Sequence, residues 1–386
     1  MDFNKRGLMP QNDLLAEGAR NQRCDASQNA GVTHHWCRFL RDVRWTRKQK
    51  FELLSTFRCP SVVYQNPEPA LRGVTNGRWN RRHEEQDKCR LDADLLWLTQ
   101  PGRCLIGWGQ PRYPSQLAEI PDPPLALFAE GNTSLLDEAA LAVVGSRRPT
   151  PAGSRITQLI VQQLAGLGLV ITSGMALGVD GLAHAAALQA GGSTVAVMGC
   201  GLDIVYPQRH RKLHGQIREQ GLLLSPFALN VRPDKSTFPQ RNRIVSGLSL
   251  GALIIEAAER SGTLITARLA LEQNREVLVV PGNPLSPQYR GSNKLIREGA
   301  ALVTSAEEVL EELAIPLRNA LQDPPQEAAI CTENPVLKAV GFDSTPVDLI
   351  IQHCGLTAAE VSSMLLMLEL EGLVALADDG GYVRLA

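Results

Sequence analysis

Nothing in this chain stays apolar over the roughly 18 consecutive residues that a membrane-spanning helix needs, so no such helix is expected. The stretch from Met1 to Arg23 is polar and lacks the apolar core of a signal peptide. None of the eight cysteines (24, 37, 59, 89, 104, 200, 331 and 354) forms a C-x-x-C pair, which excludes zinc-finger spacing. A chain of 386 residues can bury a core of its own, so these thiols read as reduced ones in a cytoplasmic protein. The G-x-G-x-x-G and Walker glycine patterns are missing too, which disfavours NAD, and no cofactor is expected. His210 and His214 stand four apart, but among Arg209, Arg211 and Lys212, with no carboxylate or thiol partner, so no metal is expected. Asp180 and His184 have helical i,i+4 spacing and read as a helix-start and packing pair. No catalytic set emerges.

What is present is ordinary globular material. At 44% hydrophobic and 20% charged, the chain is neither wholly disordered nor fibrous, and its length predicts two to three domains. The net charge of −1 conceals a segregation. Residues 1–100 carry 17 basic and 12 acidic side chains, residues 147–297 carry 17 and 8, and residues 298–386 carry 3 and 15. A polyanion is attracted to the middle and repelled by the C-terminal part. Segregation that serves solubility alone is the competing explanation.

Residues 1–30, rich in Asn and Gln, are expected to be a disordered extension. Residues 31–100 predict a small, mostly helical domain, with an amphipathic helix over Thr46 to Phe57 and a charged, loop-like patch over Asn76 to Arg90. Pro101 to Gly131, dense in Pro and Gly, predicts an irregular lead-in to a sheet domain spanning 101–315. Apolar runs then recur at 141–145, 169–174, 194–199, 222–225, 252–257, 277–282 and 301–303, with helical patterns between them. Continuous apolar strands alternating with helices predict an α/β fold, a doubly wound, Rossmann-like parallel sheet covered on both faces. Residues 316–335 read as a linker and 336–386 as a winged helix. That last unit has a helix from Pro346 to His353, a turn at Gly355 and a Thr357/Glu360 capping box. Its second helix runs to about Glu371, and a hairpin turns at 378–381.

The chemistry gathers at strand ends. Gly145, Ser146, Arg147 and Arg148 follow a strand and precede a helix, where free N–H groups and guanidinium forks suit phosphate. Surface arginines on a tight turn are the alternative. Lys235, Phe238, Arg241, Asn242 and Arg243 crowd three cations and one aromatic into a short run at a helix start. Exposed aromatics stack bases and flanking cations neutralise phosphates, although a phenylalanine alone more often packs in a core. Gly174 ends another strand. Glu256, Ser261, Gly262 and Thr263, together with the Gly/Pro loop that leads from Gly282 to Asn293 and Lys294, complete a candidate phosphate or nucleotide pocket. The second helix of the winged helix, residues 358–371, has no Lys or Arg and three Glu, which argues against major-groove binding.

Strung together, the motifs YPSQL (113–117), VVGSR (143–147), SGMALGVDGLAH (173–184), MGCGLDIVYP (198–207), FPQRNRIVSGLS (238–249) and EAAERSGTLITARLALEQNREV (256–277) resemble the bacterial DNA-processing protein A family, DprA or Smf. The resemblance spans about Tyr113 to the C-terminus. It implies a non-enzymatic binder of single-stranded DNA that loads the recombinase RecA during natural transformation and forms a homodimer through its Rossmann-like domain. By the same resemblance, Arg147 grips phosphate, Lys235 and Phe238 clamp backbone and base, and Arg241 and Arg243 support them. The helical region before residue 100 takes the place of the family's helix-hairpin-helix or sterile-alpha-motif-like domain. Two positions depart from the family pattern. Leu177 stands where an Arg is usual, and Pro226 where an acidic residue usually follows Ser225. A nucleotide-processing enzyme of the lysine-decarboxylase-like group is the alternative, but it would carry PGGxGTxxE, and RSGTLITA (260–267) lacks the glycine pair and the Glu.

Overall fold

The computed structural model describes residues 30–314 and 335–384, apart from 43, 58, 66–80, 342–343, 371–372 and 378–379. The expected disordered extension and the linker fall almost wholly outside the described residues, as do Asp378 and Asp379 of the expected hairpin turn. The chain divides into two compact units, Met1–Arg318 and Asn319–Ala386.

The first unit opens with helices α1 (Ala30–Arg41), α2 (Arg47–Phe57), α3 (Pro60–Gln65) and α4 (Arg81–Leu98). Then come β1 (Arg103–Gly107), α5 (Ser115–Ala118), β2 (Ala126–Gly131), β3 (Ala140–Val144), α6 (Pro151–Gly166), β4 (Val170–Ser173), α7 (Val179–Gln189) and β5 (Thr194–Val197). They are followed by α8 (Arg211–Gln220), β6 (Leu222–Ser225), α9 (Thr237–Gly247), β7 (Gly251–Ile254), α10 (Thr263–Glu272), β8 (Glu276–Val279), α11 (Arg290–Arg297), β9 (Ala301–Leu302) and α12 (Ala306–Glu312).

These strands form one nine-stranded sheet in the order β1-β2-β6-β5-β4-β3-β7-β8-β9. From β6 across to β9 every neighbouring pair is parallel. The chain builds outward from β3 to β6, then returns to the far side of β3 for β7 to β9, which is the doubly wound arrangement. Strand alternation sorts side chains onto two cores. Ala140, Ala142 and Val144 of β3 pack with Ile244, Val245, Ala267 and Ala270 of α9 and α10. Leu141 and Val143 face the other way, toward Ile160, Leu164, Ala183 and Ala187 of α6 and α7.

Two expectations need correction. The stretch 101–131 contains β1 and β2, antiparallel to each other, with β2 antiparallel to β6, so the sheet is mixed. Proline and glycine mark the turns there, while Leu127, Phe128 and Ala129 between them are fully buried and form a strand. Residues 81–90 belong to α4 rather than to a loop. Their charges fall on a helix that the apolar pattern alone does not reveal.

The early helices have their own aromatic core, in which Trp36, Phe39, Trp45, Leu53 and Leu54 pack with Leu125 and Ala126 beside the sheet. An ion pair ties them in further. Arg41 Nε and Nη2 donate to Asp94 at 2.5 and 2.7 Å, and Arg41 Nη2 also reaches the Leu229 carbonyl at 3.2 Å. Asp94 accepts from the Leu229 N–H at 3.3 Å and is wholly buried.

In the second unit, α13 (Pro335–Ala339), α14 (Val347–Cys354) and α15 (Ala358–Leu370) precede the hairpin β10 (Val374–Leu376) and β11 (Tyr382–Arg384). Gly355 ends α14 in the left-handed region at φ 68°. Thr357 N–H and Oγ1 donate to Glu360 at 2.9 and 2.7 Å, the expected capping box. Helix–turn–helix plus hairpin is a winged-helix layout.

Removing Asp94 leaves a largely buried Arg41 without its counter-charge. Asp94→Ala is expected to lower the unfolding free energy by about 3–5 kcal/mol, read from urea denaturation.

Candidate functional site

At the carboxyl ends of β3, β4 and β5 the backbone is stripped of side chains, and two residues of α9 move into the space. A Cβ on Gly174 would lie 1.1 Å from Arg241 Nη1, and a Cβ on Gly199 would lie 2.9 Å from the Phe238 ring. Gly178, at φ 83°, crosses directly under the Ser146 carbonyl, where a Cβ would come within 2.2 Å. That crossing lets Val179 N–H donate to Ser146 O at 3.1 Å and fixes the loop after β3. The result is a pocket of about 60 Å³ lined by Arg147, Gly174, Leu177, Tyr206, Phe238 and Arg241, among others. The Arg147 guanidinium lies 5.6 Å from the Phe238 ring centroid. Tyr206 lies 5.9 Å from the same ring at an interplanar angle of 33°. A cation beside two tilted aromatic faces suits an anion attached to a planar group.

The floor is charged and dry. Arg241 is 4% exposed, its Nη1 is 3.9 Å from Asp180 Oδ2, and its Nε has no hydrogen-bond partner. Burial lowers its pKa, with Asp180 opposing and Arg147 adding to the fall. Burial raises the pKa of Asp180, opposed by Arg241 and by N–H donation from Ala176 and Gly174. Beneath lies His184, wholly buried, with Nδ1 2.7 Å from Thr194 Oγ1. Burial first, then His210 and Arg241, push its imidazole down from 6.5 to about 3.

The other strand-end residues form a separate, closed crevice. Glu256 is fully buried and accepts from the Thr150 N–H, from the Thr150 hydroxyl and, at 2.7 Å, from Tyr289 OH. Thr263 Oγ1 donates to Gly145 O at 3.0 Å, and Ser261 Oγ donates to Thr263 Oγ1 at 2.9 Å. Asn293 and the Gly282 backbone exchange hydrogen bonds at 3.2 and 3.0 Å. Gly262 is exposed, and Lys294 pairs on the surface with Glu298 at 3.6 Å. The fold thus brings Arg147, Gly174, Phe238 and Arg241 together, while the groups around Glu256 bond to one another.

The remaining candidates lie around these two places. Ser146 Oγ accepts from the Arg148 backbone N–H at 3.1 Å, and the Arg148 side chain is exposed. Lys235 is exposed in the turn where Asp234 caps Ser236, just ahead of α9. Asn242 is half-buried. Arg243 points away from the pocket to Asp122 and the Gln240 carbonyl. Sequence reasoning misses Tyr206, although it lies in the MGCGLDIVYP motif. It also misses Met175, whose left-handed backbone (φ 58°) presents its carbonyl to His210 Nδ1 at 3.1 Å. One G-x-S-x-G string, Gly247 to Gly251, precedes a strand rather than following one. Its Ser249 is fully buried and donates to Val245 O, so it is no nucleophile elbow. Among the described residues no group of three His, Cys, Asp or Glu side chains can hold a metal, and no helix is long and apolar enough to cross a membrane.

A Rossmann-like, mostly parallel sheet with a glycine-floored cationic and aromatic pocket, together with a winged-helix unit, defines the class of this protein. Comparison with known sequences takes the assignment further. The sequence model of DNA recombination-mediator protein A matches residues 104–314, and that of the DprA winged helix domain matches residues 320–380. Protein Smf of Escherichia coli (strain K12) is 46% identical over 303 residues, 76% of this chain and 81% of that protein. DNA processing protein DprA of Bacillus subtilis (strain 168) is 41% identical over 256 residues, 65% of this chain and 86% of that protein. The X-ray structure of DprA from Streptococcus pneumoniae superposes with a TM-score of 0.62 at 36% identity, covering 73% of this chain and 98% of that one. A Helicobacter pylori DprA structure, described by its single-stranded DNA binding mode, gives a TM-score of 0.50 at 34% identity over 53% of this chain and 94% of that one. The chain belongs to the DNA recombination-mediator protein A family.

His184 makes the fold around the pocket sensitive to acid. The unfolded chain takes up a proton as pH falls through 6.5, while the folded chain does not until about 3, so stability falls with pH across that window. The loss approaches about 1.4 kcal/mol per pH unit. Urea unfolding at a series of pH values is expected to show this slope, and His184→Gln to flatten it.

Proposed function

We propose that this protein is a non-enzymatic mediator of recombination, which binds and protects incoming single-stranded DNA and loads RecA onto it during natural transformation. The observation that carries this reading is the meeting of Arg147, Phe238, Tyr206 and Arg241 around one pocket. A nucleotide placed there stacks its base on the Phe238 and Tyr206 rings and sets its phosphate against Arg147. The unpartnered Arg241 Nε beneath supplies a further donor. Exposed Lys235, one turn ahead of Phe238, extends the cationic rim. A base in a duplex is already stacked on both faces and cannot enter such a pocket without being unstacked, so single strands are preferred.

The relatives' standing as DNA processing proteins, and the single-stranded DNA binding mode of the Helicobacter pylori DprA structure, support the same conclusion. RecA as partner, and a homodimer formed through the sheet domain, are carried by the family resemblance. In the winged-helix unit, α15 has no Lys or Arg, while Leu366 and Met367 are exposed on it. That helix fits a protein contact better than a DNA groove.

Fluorescence anisotropy with labelled oligo-dT and a duplex of equal length, at two salt concentrations, tests the reading. Single strands are expected to bind more tightly and with steep salt dependence, and equal affinity for both would overturn it. Arg147→Ala is expected to reduce the salt slope by about 0.7, the amount set by one neutralised phosphate on a single strand. Phe238→Ala is expected to cost about 1–3 kcal/mol at unchanged slope.

A further inference from the structure

A larger groove lies on the other side of α9, and nothing in the pocket described above uses it. It has a volume of about 370 Å³, and its walls come from the early helices, the start of β2, the loop after β6, and α9. Five of its lining residues are cations, namely Arg41, Arg47, Lys50, Arg90 and Arg243, and among the described residues no carboxylate lines it.

The charges of Arg47, Lys50 and Arg243 are only partly compensated, whereas Arg41 is matched by Asp94. Arg47 and Arg243 share a single carboxylate, Asp122, which is itself largely exposed. Burial lowers the Arg47 pKa, and the neighbouring Arg243 lowers it further. The Lys50 ammonium, on a residue only 7% exposed, donates to the Leu40 carbonyl at 2.7 Å rather than to a carboxylate. Burial pushes it down to about 8, with Asp42 partly opposing. Such a crowd of desolvated cations is relieved by an anion entering the groove.

We propose that this groove holds a second stretch of the same DNA strand, bound through its phosphates. The inference rests on the single-strand reading of the pocket. Helix α9 connects the two places. Phe238 and Arg241, three apart, serve the pocket, while Gln240 and Arg243, also three apart, line the groove from the opposite flank of the helix. A strand that leaves the pocket across α9 meets the second row of cations after one helix width, about 10–12 Å. The half-buried Phe227 ring in the groove wall offers a face for a base, which an acidic peptide would not need. Four of the five cations precede residue 104, where the family match begins, so the groove is built largely from the N-terminal helical layer.

Pro226 in the groove wall provides a test by charge alone. Full-length Pro226→Glu and Pro226→Gln are compared by anisotropy with labelled oligo-dT of about 6 and about 20 nucleotides, lengths that bracket a single site and an extended path. Pro226→Glu is expected to bind the long oligonucleotide about fivefold to tenfold more weakly, with a salt slope shallower by about 0.7 for each phosphate that the groove no longer neutralises. Pro226→Gln is expected to match the parent, and neither variant to change binding of the short oligonucleotide. Arg90→Gln, at an exposed helical position, is expected to weaken the long oligonucleotide in the same way and guards against a folding defect in Pro226→Glu. Equal long-oligonucleotide affinity for Pro226→Glu and Pro226→Gln overturns the groove. The pocket reading fails separately, if Arg147→Ala leaves short-oligonucleotide binding intact.

Discussion

Arg241 sits under the open ends of three strands, almost without access to water, and its charge must be met from within the protein. Asp180 meets it, but only at 3.9 Å, and Asp180 is in turn held by the Gly174 and Ala176 N–H groups. The arrangement exists because Gly174 has no Cβ, since any other side chain would occupy the guanidinium's place. A buried charge costs several kcal/mol unless its partners are fixed. The loop after β4 and the N-terminal half of α9 are therefore locked to one another, and the Val179–Ser146 bond ties in the loop after β3. The same lock that stabilises the floor presents a dry cationic surface with an unused donor to whatever enters from above.

This division of the strand ends explains why one region is open and its neighbour shut. In doubly wound sheets the crevice where the winding reverses, here between β3 and β7, is the usual place for a ligand. In this protein that crevice is filled by Glu256, Thr150 and Tyr289 bonding to one another, with Thr263 tied to the Gly145 carbonyl beside them. The opening has moved toward β4 and β5, where glycines end the strands and Phe238 and Arg241 take their place. A carboxylate seated in the usual crevice opposes a nucleotide phosphate there, whereas the displaced opening is lined by cations and aromatic rings.

Much of this is legible in the sequence. The seven apolar runs from Leu141 to Val303 become the parallel strands, and those inside the sheet are apolar because they are buried on both faces. Gly355 and the Thr357/Glu360 box are local devices, and they act where the spacing places them. The two antiparallel strands β1 and β2 escape notice because the prolines and glycines around them dominate the composition of 101–131. Arg241 and Arg243 read as equivalent members of one basic run, yet two residues on a helix are about 200° apart. One therefore enters the pocket and the other pairs with Asp122. Tyr206 escapes because an aromatic after a strand has no periodic signature, and only the nearness of Phe238 gives it meaning.

The sequence by itself determined the order of elements from β3 onward, the family, and which residue types gather at the strand ends, since periodicity, capping and motif spacing are properties of neighbours along the chain. Tertiary structure alone decided which of those residues share a pocket. Gly174 and Arg241, Gly199 and Phe238, and Thr150 and Glu256 are far apart in the chain and meet only when the sheet is assembled. The same holds for the cationic groove, whose walls come from helices before residue 100 and from a loop and helix after residue 225. Excess charge in a segment can be counted in one dimension. Whether a given cation is paired, buried or open to an anion depends on distances of a few ångströms between residues the chain order does not relate.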